Sequence, residues 1–182
     1  MSTGRSEWIV TETGNRVSRK CVIHGSSNII LSGKTVIHAG AVLRGDLRRT
    51  GASSSSAISI SCGKYCTISP SSVIRPCYKT YKGLFSYYPV KIGDYVHIGN
   101  GAIVEAASIG NGTYIGKMAI VGSGVVVKEY ARIEDNAVVA PGTVIPAMTV
   151  WAGNPGQLVV IIIIRPTVSD DSKVSSIDWH TT

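Results

Sequence analysis

The side chains in this 182-residue chain that could hold a metal or move a proton are four cysteines, four histidines and a cluster of aromatic and basic residues. Cys21, Cys62, Cys66 and Cys77 could ligate zinc, but Cys62-x-x-x-Cys66 has no second pair at metal spacing. A general base needs a positioned imidazole and a group to orient it. His24 and His38 lie early, His180 falls near the end, and His97 has no identifiable orienting partner. The stretch from Arg75 to Lys91 differs in kind. Tyr78, Tyr81, Phe85, Tyr87 and Tyr88 are interleaved there with Lys79 and Lys82. Rings and cations projecting from a rigid body suit partner binding, and the same rings could instead fold back over the body.

These residues ride on a six-residue period. Ile92, Ile98 and Val104 keep it, and after one step of five so do Ile109, Ile115, Val121, Val127, Ile133, Val139, Ile145 and Trp151. Four residues after each stands a small or β-branched residue in nearly every case, from Val96, Ala102 and Ser108 through Thr113 and Ala119 to Thr149 and Pro155. Glycine often follows the aliphatic, as at Gly93, Gly99, Gly110 and Gly116. No helix repeats every six residues. Short strands separated by bends at small residues do, and the pattern is that of a parallel β-helix. In this register Cys62 and Cys66 occupy inward slots as small buried hydrophobes, which fits a reducing compartment. His97 falls on an outward position.

The period divides the chain. Residues 1–24 read as an N-terminal strap, with Thr13-Gly14-Asn15-Arg16 as a turn signal, and residues 25–156 as the β-helix. Two insertions break the register, at 48–61 with serines 53 to 56, and at 75–91. Residues 157–182 read as a C-terminal cap and tail. The aliphatic run Val159–Ile164 suggests a strand buried on both faces, or an edge strand paired with another chain.

Bulk properties limit function. A chain of 19.2 kDa with 44% hydrophobic residues suits one domain with a sizeable core. The first residues contain no apolar run like a signal peptide, and six aliphatics cannot span a bilayer. A soluble intracellular protein without membrane insertion is the expectation. Residues 1–91 carry thirteen Lys/Arg against three acids, and residues 92–182 five against eight. The basic half is either a solvated face or a surface for an acidic protein partner. Nucleic acid is not expected as a partner, because no basic helix or nucleic-acid motif appears.

The hexapeptide pattern resembles the left-handed β-helix superfamily, which includes acyltransferases and γ-class carbonic anhydrases. The resemblance implies an all-β, single-stranded left-handed parallel β-helix with loop insertions and a C-terminal extension. Handedness comes from it alone, since the general rule for β crossovers is right-handed. Arg44-Gly45-Asp46, Ile92-Gly93-Asp94 and Trp151-Ala152-Gly153-Asn154-Pro155 resemble γ-class carbonic anhydrase motifs. That family's three zinc histidines correspond here to Arg75, Asn100 and Glu105, and its assisting Gln to Ser69. A cation, an amide and one carboxylate cannot replace three imidazoles. No catalytic residue, metal ligand or cofactor is therefore expected.

A closer resemblance is to the dynactin subunit 5 family, over about residues 8–156. It rests on Glu12-Thr-Gly-Asn-Arg-Val-Ser-Arg19, Gly25-Ser-Ser-Asn-Ile-Ile-Leu31, Ser72-Val-Ile-Arg-Pro76 and Tyr87-Tyr-Pro-Val-Lys-Ile-Gly-Asp94. It implies a non-catalytic subunit of the dynactin pointed-end complex, cytoplasmic and cytoskeleton-associated. The implied partners are dynactin subunit 6, dynactin subunit 4, the actin-related protein at the pointed end, and the dynein adaptors that couple to cargo such as endosomes. Arg44, Asp46, Tyr78, Lys79, Tyr81, Lys82, Phe85, Tyr87 and Tyr88 are the candidate contact residues, with Arg44 and Asp46 also reading as a structural ion pair. The chain departs from the family at the Ser-rich insertion and after residue 157. The alternatives are a γ-class carbonic anhydrase-like enzyme and a hexapeptide acyltransferase.

Overall fold

Every sixth side chain turns inward, and the backbone closes a triangular coil around those side chains. The computed structural model describes residues 7–48 and 58–161. Three parallel faces result. The first is built on Val36–Ile37, Thr67–Ile68, His97–Ile98, Tyr114–Ile115 and Arg132–Ile133. The second carries Val42–Arg44, Val73–Ile74, Ile103–Val104, Ile120–Val121 and Val138–Val139. The third carries Ile60–Lys64, Val90–Ile92, Ser108–Ile109, Val126–Val127 and Val144–Ile145.

Pairing runs coil to coil in lockstep. Ile115 pairs with Ile133, eighteen positions on, and Val121 pairs with Val139 at the same interval. Ile98 and Ile115 pair across only seventeen, because the corner after Val104 is one residue shorter. There Ala106 fills the corner interior with no exposure, and Ser108, expected in an inward slot, faces out beside Ile109. The other inward positions hold as read. Ile37, Leu43, Ile74, Ile98, Val104, Ile115, Val121 and Ile133 are fully buried, and Cys62 and Cys66 lie among them.

The start of the coil differs from the expected boundary at residue 25. Val17 already pairs in parallel with Ile37, and Ile23 with Leu43. Val17 and Ile23 keep the six-residue spacing, and a 3-10 turn at Ser26–Asn28 then adds residues that hide it. Gly25 makes that turn possible. Its φ is +62°, and a Cβ there would stand 2.6 Å from the Asp46 amide nitrogen. The strap is a hairpin, in which Trp8–Val10 runs antiparallel to Arg16–Ser18. Register after the first insertion resumes at Ile60, which pairs with Ile29 and Val90, two residues before Cys62.

At the far end, Gln157–Ile161 adds antiparallel to Thr149–Ala152 as the last strand of the nine-stranded first face. Among the described residues it is not buried on both faces: Leu158, Val159 and Ile161 are 47%, 54% and 59% exposed. Ile162 to Thr182 and the serines at 53 to 56 lie outside the described residues. No described helix is long and apolar enough to cross a membrane.

The ladders make a direct test of the core. Ile115 touches no solvent and stacks between Ile98 and Ile133. Ile115→Ala is expected to lower unfolding free energy by roughly 2–5 kcal/mol in denaturant melts. An unchanged midpoint would contradict the inward register.

Candidate interaction site

The insertions share one corner. Between the second and third faces the successive coils spend residues 25–28, 45–59, 75–89, 105–107, 122–125 and 140–143. The 3-10 turn and the aromatic segment thus both leave the coil at this corner. Hydrogen-bonded ladders fix the spacing of the faces, so extra chain can leave only where a corner turns.

Residues 77–88 form a hairpin, with Cys77–Tyr81 paired antiparallel to Leu84–Tyr88. Lys82 and Gly83 both have positive φ, +47° and +77°, the two-residue geometry that matches strand twist. Alternation gives the hairpin two faces. Cys77 and Ser86 are buried toward the coil, while Tyr78 and Phe85 stand 49% and 44% exposed on the other face. Tyr78 and Phe85 stack at 5.6 Å, and Phe85 meets Tyr87 edge-on at 5.0 Å. Tyr78 and Phe85 thus lie on the side of the hairpin away from the buried Cys77 and Ser86. Tyr87 and Tyr88 are half-buried, Lys79 and Lys82 are exposed, and the side chain of Tyr81 lies outside what is described. The hairpin is pinned at its root, where the Tyr78 amide donates to Ser123 Oγ at 3.2 Å.

Two of the three positions that correspond to zinc ligands of γ-class carbonic anhydrases also meet at this corner. Arg75 and Glu105 form an ion pair through a guanidinium nitrogen and a carboxylate oxygen, with the Glu105 side chain 13% exposed. Asn100 does not join them. It sits at the corner between the first and second faces, where its carbonyl accepts from the Met118 amide. A guanidinium seated on the one carboxylate leaves no set of donors for a tetrahedral zinc. Among the described residues no group of three His, Cys, Asp or Glu converges as metal ligands.

Arg44 and Asp46 are joined bidentately, with both N–H···O distances 2.8 Å. The hydrogen bond from Arg44 holds the Asp46 carboxyl below the usual carboxylate range. Their fork is satisfied internally, as expected of a structural pair. Two of the thiols are likewise engaged. Cys66 Sγ donates to the Gly93 carbonyl at 3.0 Å, and the hydrogen bond to Cys66, with burial, pushes the Cys62 thiol up.

His97 is not an isolated surface imidazole. Its ring stacks on Tyr114 at 5.0 Å, and the Arg132 guanidinium lies 4.5 Å from the centre of the Tyr114 ring, bonded at 2.7 Å to Glu134. Burial, and then the nearby His38, hold its pKa below the ordinary 6.5.

A second surface was missed in the sequence. At the corner between the third and first faces, Lys34, Tyr65, Tyr95, Tyr130 and Met148 all have φ between 53° and 58°. A left-handed residue with a side chain costs roughly 1–2 kcal/mol. Contacts along the corner offset that cost: Tyr65 and Tyr95 stack at 4.9 Å, and Lys34 Nζ donates to Tyr65 Oη at 3.0 Å. The signal was present, since Tyr65, Tyr95 and Tyr130 each stand three residues after an inward slot.

Comparison with known proteins agrees with the geometry. A family model described as Dynactin subunit 5 matches residues 1–165. The chain belongs to this family. Dynactin subunit 5 of Dictyostelium discoideum is 41% identical over 107 residues, 59% of this chain and 49% of that protein. Gamma carbonic anhydrase 1, mitochondrial, of Arabidopsis thaliana is 31% identical over 118 residues, 65% of this chain and 38% of that protein. The chain spans about half or less of the length of these curated relatives. Among solved structures, the acetyltransferase domain of PglB from Neisseria gonorrhoeae aligns with TM-score 0.61 at 16% identity, over 80% of this chain and 58% of that one. The N-acyltransferase AntD from Bacillus cereus, bound to dTDP and coenzyme A, aligns with TM-score 0.62 at 13% identity, over 80% of each chain. At such identity the likeness is one of fold: a left-handed parallel β-helix of hexapeptide repeats.

Two measurements probe these sites. Arg75→Met strands a mostly buried carboxylate and is expected to cost about 1–3 kcal/mol, while Glu105→Gln, which still accepts from Arg75, should cost less; equal costs would contradict the pairing. The fold holds the His97 pKa below its ordinary 6.5, first by burial and then through His38, so the neutral form favours the fold. Stability should be level above pH 6.5 and fall as pH drops below it. In His97→Gln that part of the thermal-midpoint slope should shrink, and an identical profile would remove His97 as its source.

Proposed function

We propose that this chain is a non-catalytic interaction subunit of dynactin, acting at the pointed end of the complex. It packs beside a second β-helical subunit, dynactin subunit 6, and near dynactin subunit 4 and the actin-related protein. There it supports the coupling of dynein to adaptors and cargo, in the cytoplasm and on the microtubule-motor machinery. Family membership over residues 1–165 is the observation that carries the reading.

The mechanism is rigid display. Stacked coils hold flat faces for neighbouring subunits, and the pinned hairpin offers Tyr78, Phe85 and Tyr87 on its outward face. Exposed aromatic clusters of this kind supply much of the energy at protein interfaces. The Arg75–Glu105 pair counts against the carbonic anhydrase reading. For acyl transfer, the ring of His97 is committed to Tyr114 within a ladder of side chains. Bound zinc together with carbon dioxide hydration by the purified chain would overturn this choice.

The partner test uses purified dynactin subunits 6 and 4 with the full chain, in a pull-down followed by titration. Wild type should bind at least one of them. Tyr78→Ala with Phe85→Ala should weaken that binding by about tenfold or more with an unchanged thermal midpoint. A binding loss matched by a fall in stability would mean that the rings serve the fold instead.

A further inference from the structure

The outward side of the third face carries a hollow of about 360 Å³ that no motif in the sequence announces. Ser61, Lys91, Ser108 and Val126 form its floor as one column, because Lys91 pairs with both Ser61 and Ser108, and Ser108 pairs with Val126. Lys128 and Glu129 close it on the side of the tyrosine corner. Among the described residues, neither ammonium and neither hydroxyl has a hydrogen-bond or ion-pair partner, unlike the paired cations Arg44, Arg75 and Arg132. Asn111 also lines the hollow, with its Oδ1 engaged by the Asp94 amide at 2.8 Å.

We propose that this hollow docks an acidic, extended segment of a protein partner, its carboxylates held by Lys91 and Lys128 and by the hydroxyls of Ser61 and Ser108. The argument is one of charge and spacing. Lys91 and Lys128 are two coils apart, about 10 Å along the axis at strand-to-strand separations near 4.8 Å. An extended chain places side chains of one face about 6.6–6.8 Å apart, within reach of both lysine stems. Two lysines face one acid, Glu129, so a carboxylate is attracted at the floor and repelled beside Glu129. That asymmetry sets the direction of the segment. The Ser61 and Ser108 side chains are short, so the floor stays open to a backbone lying along the column. The root of the aromatic hairpin adjoins the same floor, since Tyr88 is three residues before Lys91. An apolar residue of the segment could therefore reach the hairpin while its acids occupy the hollow.

This inference rests on reading the chain as an interaction subunit, and its test is separate from the pull-down of dynactin subunits. A short labelled peptide of alternating Glu and Leu is titrated against the full chain by fluorescence anisotropy. Bound peptide is then fixed with a carbodiimide, which joins carboxylates to nearby amines, and the linked lysines are mapped by mass spectrometry. Expected are saturable binding that weakens with salt, cross-links at Lys91 and Lys128, and at least a tenfold loss in the double variant Lys91→Glu, Lys128→Glu. The Ser61→Ala, Ser108→Ala variant should lose severalfold with its thermal midpoint intact. Cross-links confined to Lys20, Lys34 or Lys64 would overturn the proposal in favour of the basic N-terminal half. Full displacement by millimolar inorganic phosphate would also overturn it, by marking a phosphate site. Recovery of dynactin subunits without peptide binding would reject the hollow alone.

Discussion

The constraint on which this molecule depends is the distance between coils. Each coil must lie one hydrogen-bond spacing, about 4.8 Å, from the next on all three faces at once. Inward residues then stack like upon like, Ile98 on Ile115 on Ile133, and each buries the other. Corners obey the same spacing. At Gly99 a Cβ would stand 2.6 Å from the backbone of Gly116, so that corner closes only around glycine. Where a side chain does occupy a left-handed corner, as at Tyr65 and Tyr95, stacking between coils accompanies it.

A scaffold fixed in this way handles added chain in one manner. Residues inserted within a face would throw every later strand out of register, whereas residues inserted at a corner leave the ladders intact. The 3-10 turn and the aromatic hairpin both leave at this corner, which gathers the added chain along one edge. The shortened corner at 105–107 belongs to the same edge, and the hairpin root is pinned one coil beyond it, at Ser123. The edge is therefore an assembled surface.

Charge along the coil follows the same logic of neighbours. Arg44 with Asp46, and Arg132 with Glu134, sit two residues apart and close within one coil, while Arg75 and Glu105 meet only because one coil lies on another. The exposed pairs Arg44–Asp46 and Arg132–Glu134 contribute modestly to stability. Their larger consequence is to commit cations that could otherwise bind a ligand. Lys91 and Lys128 stay uncommitted, which is why the third face differs in character from the corner beside it.

The six-residue period determined a parallel β-helix, though not its hand. Ile or Val at every sixth position, with small residues at the bends, has one compact solution, and burial of those side chains drives it. The period also showed that Cys62 and Cys66 turn inward, because the slot decides direction. It misplaced Ser108 and the first coil for the same reason: a corner one residue short after Val104, and a 3-10 turn after Gly25, shift the phase without changing the composition. The candidate site was legible only as a list of residues. That Tyr78 and Phe85 face outward while Cys77 and Ser86 face the coil depends on the twist of a hairpin. That Glu105 answers Arg75, thirty residues away, depends on the lengths of the corners between them. Contacts between coils join residues far apart in sequence, so only the stacked structure could decide them.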